Sequence, residues 1–266
     1  MIMYPHTSHQ EDQPILDISK LEVRYNGHPA LEDISFHLHA GERVAVVGPN
    51  GAGKSTLFKV VAGVLPPGKG EVKIYGSRPG GHVCIAYIPQ RTQVDWKFPV
   101  TVGDVVMMGR SAILGPLRWP KKHDREAVRA ALVTVELTAL AHHQISELSG
   151  GQQQRMFIAR ALAQEAELML LDEPLNGLDT PAQESLLKLL DALRDRKVTV
   201  MIATHNLDQA SRYFDRILLL NQKIIGFGLP GEVLSTDKLR QAYAGRYQSI
   251  NGEDLLTVDD CCDDQV

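Results

Sequence analysis

The residues best suited to chemistry form one glycine-rich stretch. It consists of Gly48, Pro49, Asn50, Gly51, Ala52, Gly53, Lys54, Ser55 and Thr56. The stretch fits the pattern G-x-x-x-x-G-K-[ST], in which glycines let several backbone N–H groups point at one anion. We expect the Lys54 ammonium to reach the β- and γ-phosphates of a nucleotide, and the Ser55 hydroxyl to ligate Mg²⁺. The stretch therefore predicts a binding site for a nucleoside triphosphate.

The segments on either side of this stretch have the periodicities that a phosphate-binding loop requires. Arg43–Val47 is a short apolar run typical of a buried strand, and apolar residues recur at helical spacing from Leu57 to Val64. A helix that begins at the loop adds its N-terminal dipole to the same anion site. The strand–loop–helix context favours a phosphate-binding loop over a chance match of the pattern.

A second apolar run, Leu168–Leu171, ends in two carboxylates, Asp172 and Glu173. Beside a phosphate loop, we expect Asp172 to hold Mg²⁺ through water. Glu173 is expected to orient or deprotonate the water that attacks the γ-phosphate. The alternative is an ordinary solvated strand end, which the nearby phosphate loop disfavours.

Three further residues stand at the ends of predicted strands and give weaker signals. Gln90 follows the predicted strand Val83–Ile88, and its amide could contact Mg²⁺ or the attacking water. His205 follows Val198–Thr204 and could contact the γ-phosphate, although a structural histidine is an alternative. Tyr25 could offer its ring to an adenine, and a surface tyrosine is the alternative there.

A second glycine pair, preceded by a serine, opens a predicted helix within Leu148–Gln152. The residues that could contact a nucleotide there are Ser149, Gly150, Gly151 and Gln152. Backbone N–H groups at a helix N-terminus attract anions, so we expect a second phosphate-type cradle. The alternative is an ordinary helix cap.

Composition limits the classes of protein that the chain could belong to. It has 266 residues, of which 44% are hydrophobic, and its net charge of −4 gives no bulk attraction to nucleic acid or anionic lipid. No run approaches the ~20 apolar residues that span a bilayer, and the N-terminus shows no secretory signal. Three cysteines without C-x-x-C spacing favour a reducing compartment. We therefore expect a soluble, cytoplasmic protein that does not bind nucleic acid.

The chain divides into one large α/β domain with two short ends. We place the domain at residues 14–248, with antiparallel strands before the phosphate loop and a helical insertion at about 91–147. Residues 1–13 and the acidic stretch 249–266 are expected to be flexible or disordered. Metal binding by His6 and His9, or by the vicinal Cys261-Cys262 pair, is the alternative for these ends.

Two helix boundaries follow from local patterns. Thr180 is predicted to be an N-cap, with Pro181 in the first helical position and Gln183 completing a capping box. The apolar periodicity within the insertion predicts one long helix from Asp124 to Leu140.

The elements in this order resemble the ATP-binding subunit of ATP-binding-cassette (ABC) transporters, over about Leu16 to Tyr247. The resemblance implies an α/β P-loop NTPase fold of the ABC type, with an antiparallel β subdomain and an inserted α-helical subdomain. Gly48–Thr56 is similar to the Walker A loop, Leu168–Glu173 to the Walker B strand and Leu148–Gln152 to the family signature.

The same resemblance implies roles for residues that are weak signals by themselves. Tyr25 would stack on adenine, Gln90 would be the glutamine of the Q-loop, and His205 would be the switch histidine. Asp179 would close the D-loop and contact the nucleotide site. Asn176-Gly177 depart from the Ser-Ala of many members, which leaves the contacts of the D-loop less defined.

Partners also follow from the resemblance. It implies ATP and Mg²⁺ as ligands, and two copies arranged head to tail, so that Ser149 and Gly151 of one copy cover the ATP of the other. It further implies transmembrane permease subunits and a peripheral position at the cytoplasmic face of the cell membrane. An extracytoplasmic metal-binding protein could act through the permease.

The stretch from Pro89 to Arg110 is similar to the branch that serves manganese, zinc and chelated-iron importers. The expected function is thus ATP hydrolysis that powers uptake of a transition-metal ion. We expect Trp96 and Phe98 to contact the permease, with pinning of the insertion to the main domain as the alternative. A soluble ABC ATPase, such as one for iron–sulfur assembly, or a subunit for another cargo are the alternative functions.

Overall fold

A six-stranded sheet forms the centre of the structure and contains the apolar runs that the sequence predicts to be buried strands. The computed structural model describes residues 13–79, 84–90, 92, 94–115, 118–243, 248–250 and 253–255. The strands are β1 (Leu16–Tyr25), β2 (His28–Leu38), β3 (Arg43–Val47), β4 (Lys69–Ile74), β5 (Ile85–Ile88), β6 (Leu168–Asp172), β7 (Thr199–Thr204), β8 (Arg216–Asn221), β9 (Lys223–Gly228), β10 (Gln248–Ile250) and β11 (Glu253–Leu255). The central sheet has the order β5-β6-β7-β3-β8-β9, and only β9 runs antiparallel to its neighbour.

Helices cover both faces of this sheet. They are α1 (Lys54–Val61), α2 (Val102–Met108), α3 (Ser111–Leu114), α4 (Lys122–Thr134), α5 (Gly150–Ala163), α6 (Thr180–Ala192), α7 (Leu207–Tyr213), α8 (Pro230–Val233) and α9 (Thr236–Tyr243). Within the described ranges, no helix is long and apolar enough to cross a membrane.

The central strands are buried on both sides because their alternate residues pack into two different cores. In β6, Leu168 and Leu170 join a core formed with α1 and the antiparallel sheet, whereas Met169 and Leu171 join a core formed with α5 and α6. Successive residues of a strand point to opposite faces. A strand covered on both faces therefore needs a continuous apolar run, which is the pattern that the sequence shows.

The N-terminal strands form a separate antiparallel sheet with the order β2-β1-β4. Asn26 and Gly27 join β1 to β2, and both have positive φ values of 49° and 84°. Two positive φ values suit the type I′ turn, whose twist matches that of a hairpin. The predicted antiparallel subdomain is therefore present.

The predicted helical insertion supplies α2, α3 and α4, and both α2 and α4 pack on α5. The prediction of a single helix from Asp124 to Leu140 is wrong, because α4 ends at Thr134. The Leu137 N–H donates to Leu132 O at 2.9 Å and Glu136 has a φ of 59°. This is the bond pattern of a Schellman motif, which closes a helix whatever the periodicity beyond it.

Helix α1 is also shorter than its apolar pattern predicts. It ends at Val61, because Gly63 adopts a left-handed φ of 72°, and Val64 lies exposed beyond it. An apolar residue at helical spacing is therefore not by itself evidence that the helix continues.

The two chain ends are only partly described. The stretch 249–266, which the sequence predicts to be disordered, includes β11 and most of β10, and these pair as a short antiparallel hairpin. His6, His9, Cys261 and Cys262 lie outside the described residues.

A buried ionic cluster joins the insertion to the C-terminal end of α5. The Arg110 side chain is 3% exposed; its Nε donates to Asp124 Oδ1 at 3.0 Å, and its Nη1 donates to Ala163 O at 2.9 Å and to Glu165 Oε1 at 2.6 Å. Burial would raise the pKa of Asp124, but the Lys121 backbone N–H and the Arg110 guanidinium hold it below its ordinary value. Asp124 therefore stays ionised at neutral pH.

Replacing Arg110 should destabilise the fold strongly. We expect Arg110→Met to lower the free energy of unfolding by about 3–5 kcal/mol, because the buried Asp124 would lose its guanidinium partner. Urea unfolding would measure the loss. Arg118→Met is the matched control, since Arg118 is an exposed arginine of the same insertion, and it should change the value by less than about 0.5 kcal/mol. Equal losses in the two variants would contradict the role of the cluster.

Candidate functional site

The Gly48–Thr56 loop joins β3 to α1, as the sequence predicts. A Cβ at Gly48 would lie 2.0 Å from Leu220 O, and a Cβ at Gly53, where φ is 97°, would lie 2.5 Å from Ala30 O. Glycine is therefore required at both positions, since other side chains would collide with backbone. The Ala52 O accepts from the Gln222 N–H at 2.9 Å, which ties the loop to the end of β8.

The Lys54 side chain lies inside this loop. The residue is 6% exposed, and its ammonium donates to Gly48 O at 2.7 Å and Pro49 O at 3.0 Å. Burial lowers its pKa, and the charges of Glu173 and Asp172 partly oppose that shift. The structure thus brings the predicted phosphate-binding cation within electrostatic reach of both predicted carboxylates.

The parallel register explains why residues far apart in sequence meet. Strands β5, β6, β7 and β3 all end at one edge of the sheet, which is where α/β folds bind ligands. The phosphate loop, Gln90, His205 and the Asp172-Glu173 pair each follow one of these strands. The aligned Cα pairs near the strand ends are Val47 with Thr204, Asp172 with Ala203, and Leu171 with Ile88.

Strand β7 lies between the strand of the phosphate loop and the strand of the carboxylates. Two strand spacings place the ends of β3 and β6 roughly 10 Å apart. That separation leaves room for phosphate groups between Lys54 and Glu173.

Asp172 has the environment of a ligand for a cation. It is 1% exposed; its Oδ2 accepts from the Tyr87 hydroxyl at 3.3 Å, and its Oδ1 has no hydrogen-bond partner within the described residues. A buried carboxylate oxygen without a partner is costly, and Mg²⁺ prefers oxygen ligands. The site therefore fits Mg²⁺. Burial and the Asp172 charge both raise the pKa of Tyr87, which keeps its hydroxyl protonated.

Glu173 and Gln90 line one cleft of about 450 Å³, together with Thr92, Trp96, Asn176 and Gly177. Glu173 has a left-handed φ of 50°, and its Oε2 accepts from Asn176 Nδ2 at 2.5 Å. The structure therefore brings together the predicted base and the predicted Q-loop glutamine.

Trp96 packs against the rest of the protein, whereas the sequence predicts that it contacts a permease. Its ring contacts the Phe157 ring edge to face, with 5.7 Å between centroids, and it packs against the main core. The alternative interpretation, that Trp96 pins the insertion to the main domain, is therefore the better one. Phe98 is 56% exposed and remains available for a partner.

The second glycine pair begins α5. Ser149 is its N-cap and forms a capping box with Gln152: the Ser149 N–H donates to Gln152 Oε1 at 2.8 Å, and Ser149 Oγ accepts from the Gln152 N–H at 3.4 Å. Gly150 and Gly151 follow in the first turn. No hydrogen bond or ion pair joins this turn to the Gly48–Thr56 loop, and both segments lie within the described ranges. Within one chain, the two predicted phosphate-binding segments are therefore not joined by a hydrogen bond or an ion pair.

Asp179 has a structural role that the sequence assigns to its neighbour. Its Oδ1 accepts from the Ala182 N–H at 2.9 Å, so Asp179 is the N-cap of α6 and Thr180 is the first helical residue. The predicted capping box with Gln183 is also wrong, because the Gln183 amide instead donates to Leu175 O and Leu178 O. An aspartate caps a helix as well as a threonine does, and here it lies one residue earlier.

Tyr25 and His205 are exposed, as a ligand-contacting role requires. Tyr25 ends β1 with 45% of its side chain exposed. The turn after His205 is fixed by Asn206, whose Oδ1 accepts from the Gln209 N–H at 2.9 Å to cap α7.

Sequence reasoning did not find two residues that contact the carboxylates. Tyr87 is the one residue of β5 that is not fully buried, and its hydroxyl reaches Asp172. Asn176 follows Glu173 by three residues, the spacing of a turn that brings the two side chains together. A hydroxyl in an apolar strand was the available signal for Tyr87.

The fold and the site define a P-loop nucleoside triphosphatase. A phosphate loop follows β3, a pair of carboxylates lies at the end of β6, and only β7 separates these two strands. Residues 31–176 match the family described as ABC transporter. The chain belongs to this family, as its ATP-binding component.

Relatives and a solved structure agree with this placement. The chain is 43% identical to the manganese transport system ATP-binding protein MntB of Bacillus subtilis, over 87% of this chain and 93% of that protein. It is 42% identical to the zinc transport system ATP-binding protein TroB of Treponema pallidum, over 88% of each. A structure described as a metal-chelate-type ABC transporter in an inward-facing conformation matches with a TM-score of 0.78 and 32% identity, over 90% of this chain and 94% of that one.

The glycines of the phosphate loop should differ in their tolerance of a side chain. We expect Gly48→Ala to lower the free energy of unfolding by more than about 4 kcal/mol, because its Cβ would meet a backbone oxygen. Gly51→Ala should cost only about 1–2 kcal/mol, since φ is +79° there but nothing lies within 4 Å. Urea unfolding of both variants tests the order, and a reversed order would contradict the described loop.

Proposed function

We propose that this chain is the ATP-hydrolysing subunit of an importer for a transition-metal ion, with manganese as the first choice and zinc or iron next. The main support for ATP hydrolysis is that the Asp172-Glu173 pair lies at the same sheet edge as the Gly48–Thr56 loop. Relatives named for manganese and zinc transport supply the cargo class.

Binding would use the loop and the residues around it. The loop N–H groups and the N-terminus of α1 would bind the β- and γ-phosphates of ATP, and the exposed Tyr25 ring would stack on adenine. Lys54 would exchange the Gly48 and Pro49 carbonyls for phosphate oxygens. Phosphate oxygens carry negative charge whereas carbonyls are only dipoles, so the exchange stabilises the nucleotide-bound state of the loop.

Ser55, Gln90 and Asp172 would hold Mg²⁺. When bound, the ion would neutralise charge on the β- and γ-phosphates as the bond between them breaks. Support comes from Asp172 Oδ1, which is buried and has no hydrogen-bond partner in the described part of the chain.

Hydrolysis would depend on Glu173 as general base. Its carboxylate would accept a proton from water as the water oxygen attacks the γ-phosphorus. The bond from that phosphorus to the bridging oxygen breaks, and ADP leaves with the electron pair. Gln90 would orient the water, and the exposed His205 would donate to a γ-phosphate oxygen.

A second copy of the chain would complete each site. Ser149 is exposed, and it opens a helix of 14 residues whose N-terminal turn makes no hydrogen bond to the phosphate loop of its own chain. We infer that Ser149, Gly150, Gly151 and Gln152 cover the γ-phosphate of the partner copy, with Asp179 beside them. Because ATP would be part of the interface, hydrolysis would weaken it.

Permease subunits are the inferred membrane partner, which gives the chain a peripheral position at the cytoplasmic face of the membrane. Phe98, which is exposed and follows the cleft residue Trp96 by two positions, is the best-supported contact residue. An extracytoplasmic metal-binding protein would act through that permease.

Removing the base should separate ATP binding from hydrolysis. We expect Glu173→Gln to bind ATP normally, to hydrolyse it roughly 10²–10⁴-fold more slowly, and to accumulate as an ATP-dependent dimer. Phosphate release and gel filtration with and without ATP measure the two effects. Lys54→Ala is the control, which should lose binding as well. A Glu173→Gln variant with full turnover would contradict the assigned base.

Deleting the gene should reduce high-affinity uptake of the cargo. We expect accumulation of radiolabelled manganese, or otherwise zinc or iron, to fall in the deletion strain. The wild-type gene should restore it and Glu173→Gln should not, because transport needs hydrolysis. Unchanged uptake of all three ions would contradict the metal assignment while leaving the ATPase intact.

A further inference from the structure

The Glu173 carboxylate has one hydrogen-bond partner among the side chains that the structure describes. Asn176 Nδ2 donates to Glu173 Oε2 at 2.5 Å. The same two residues are joined through the backbone, where the Asn176 N–H donates to Glu173 O at 3.2 Å. Two bonds therefore hold one turn in the segment that follows β6.

The backbone of this turn is fixed at Glu173 itself. Glu173 has a left-handed φ of 50°, which is unfavourable for a residue with a side chain, and its N–H donates to Ala203 O of β7 at 3.1 Å. Such a conformation persists only where the surroundings hold it. The backbone of Glu173 is thus fixed by β7, and the carboxylate at the end of its side chain is fixed by Asn176.

The chemistry of the amide decides which oxygen is left for catalysis. The Asn176 NH₂ group can only donate, so its hydrogen bond occupies a lone pair of Glu173 Oε2. Glu173 Oε1 has no hydrogen-bond partner within the described ranges, and both residues line the cleft that contains Gln90. One oxygen is therefore anchored and the other is available to water.

We propose that Asn176 is a positioning residue for ATP hydrolysis: it anchors Glu173 Oε2 so that Oε1 accepts the proton of the attacking water. The inference rests on the proposed function, because it needs Glu173 to be the base. A general base is effective only when its accepting atom is held in hydrogen-bond reach of the proton. An unanchored glutamate at an exposed turn would sample several rotamers.

Two variants separate the amide's donor from its shape. Asn176→Asp has nearly the same shape but offers no donor and adds a like charge beside Glu173, whereas Asn176→Ala removes the side chain. We expect kcat to fall by about 10- to 100-fold in both, the range for a lost hydrogen bond to a charged group. The KM for ATP should stay within about two-fold, because the phosphate loop is untouched. An unchanged or increased kcat would overturn the proposal.

A double-mutant cycle gives a result that a merely structural role would not produce. In a Glu173→Gln background, Asn176→Ala should change the residual single-turnover rate by less than about two-fold, since the base on which Asn176 acts is gone. The same loss in both backgrounds would overturn the proposal, as it would reflect general damage. Urea midpoints close to wild type would confirm that each variant folds.

The cycle also separates this inference from the function on which it rests. A Glu173→Gln variant that hydrolyses ATP at the wild-type rate would overturn both. Slow hydrolysis by Glu173→Gln, together with normal kcat in both Asn176 variants, would overturn only the role of Asn176.

Discussion

The parallel pairing of β6, β7 and β3 is the constraint on which the rest of the structure depends. Because all three strands run in one direction, every polar residue that follows a strand end emerges at one edge. An antiparallel β7 would send His205 to the opposite edge, away from the phosphate loop and the carboxylates. The arrangement also lets the interiors of these three strands stay apolar, since their polar residues lie at or beyond the strand ends.

Charge organises the site that this edge creates. Lys54 is buried beside two carboxylates, and its ammonium is held by carbonyl dipoles of its own loop. A buried cation with only partial compensation attracts a polyanion strongly, since burial reduces the screening of charge. Asp172 has the opposite charge and a buried oxygen without a hydrogen-bond partner in the described part of the chain, so it suits a divalent cation.

Features determined by neighbouring residues could be predicted from the sequence, and features that depend on distant contacts could not. The strand–loop–helix unit around Lys54 and the antiparallel strands before it are local, and both are present as predicted. The placement of β7 between β3 and β6 depends on long-range pairing that no local pattern specifies. The packing of Trp96 on the distant Phe157 likewise follows from no local pattern. The N-cap assignment of Thr180 is instead a local error, because the adjacent Asp179 accepts the capping hydrogen bond.

The Arg110 cluster has a mechanical consequence for the opposite end of α5. The cluster attaches the insertion at Ala163, the last residue of α5, while Ser149 caps the first turn. A helix of 14 residues is about 21 Å long, and a close-packed interior transmits strain from one end of a helix to the other. A tilt of about 10° at the Arg110 end would therefore displace Ser149 by roughly 3–4 Å, more than the length of a hydrogen bond.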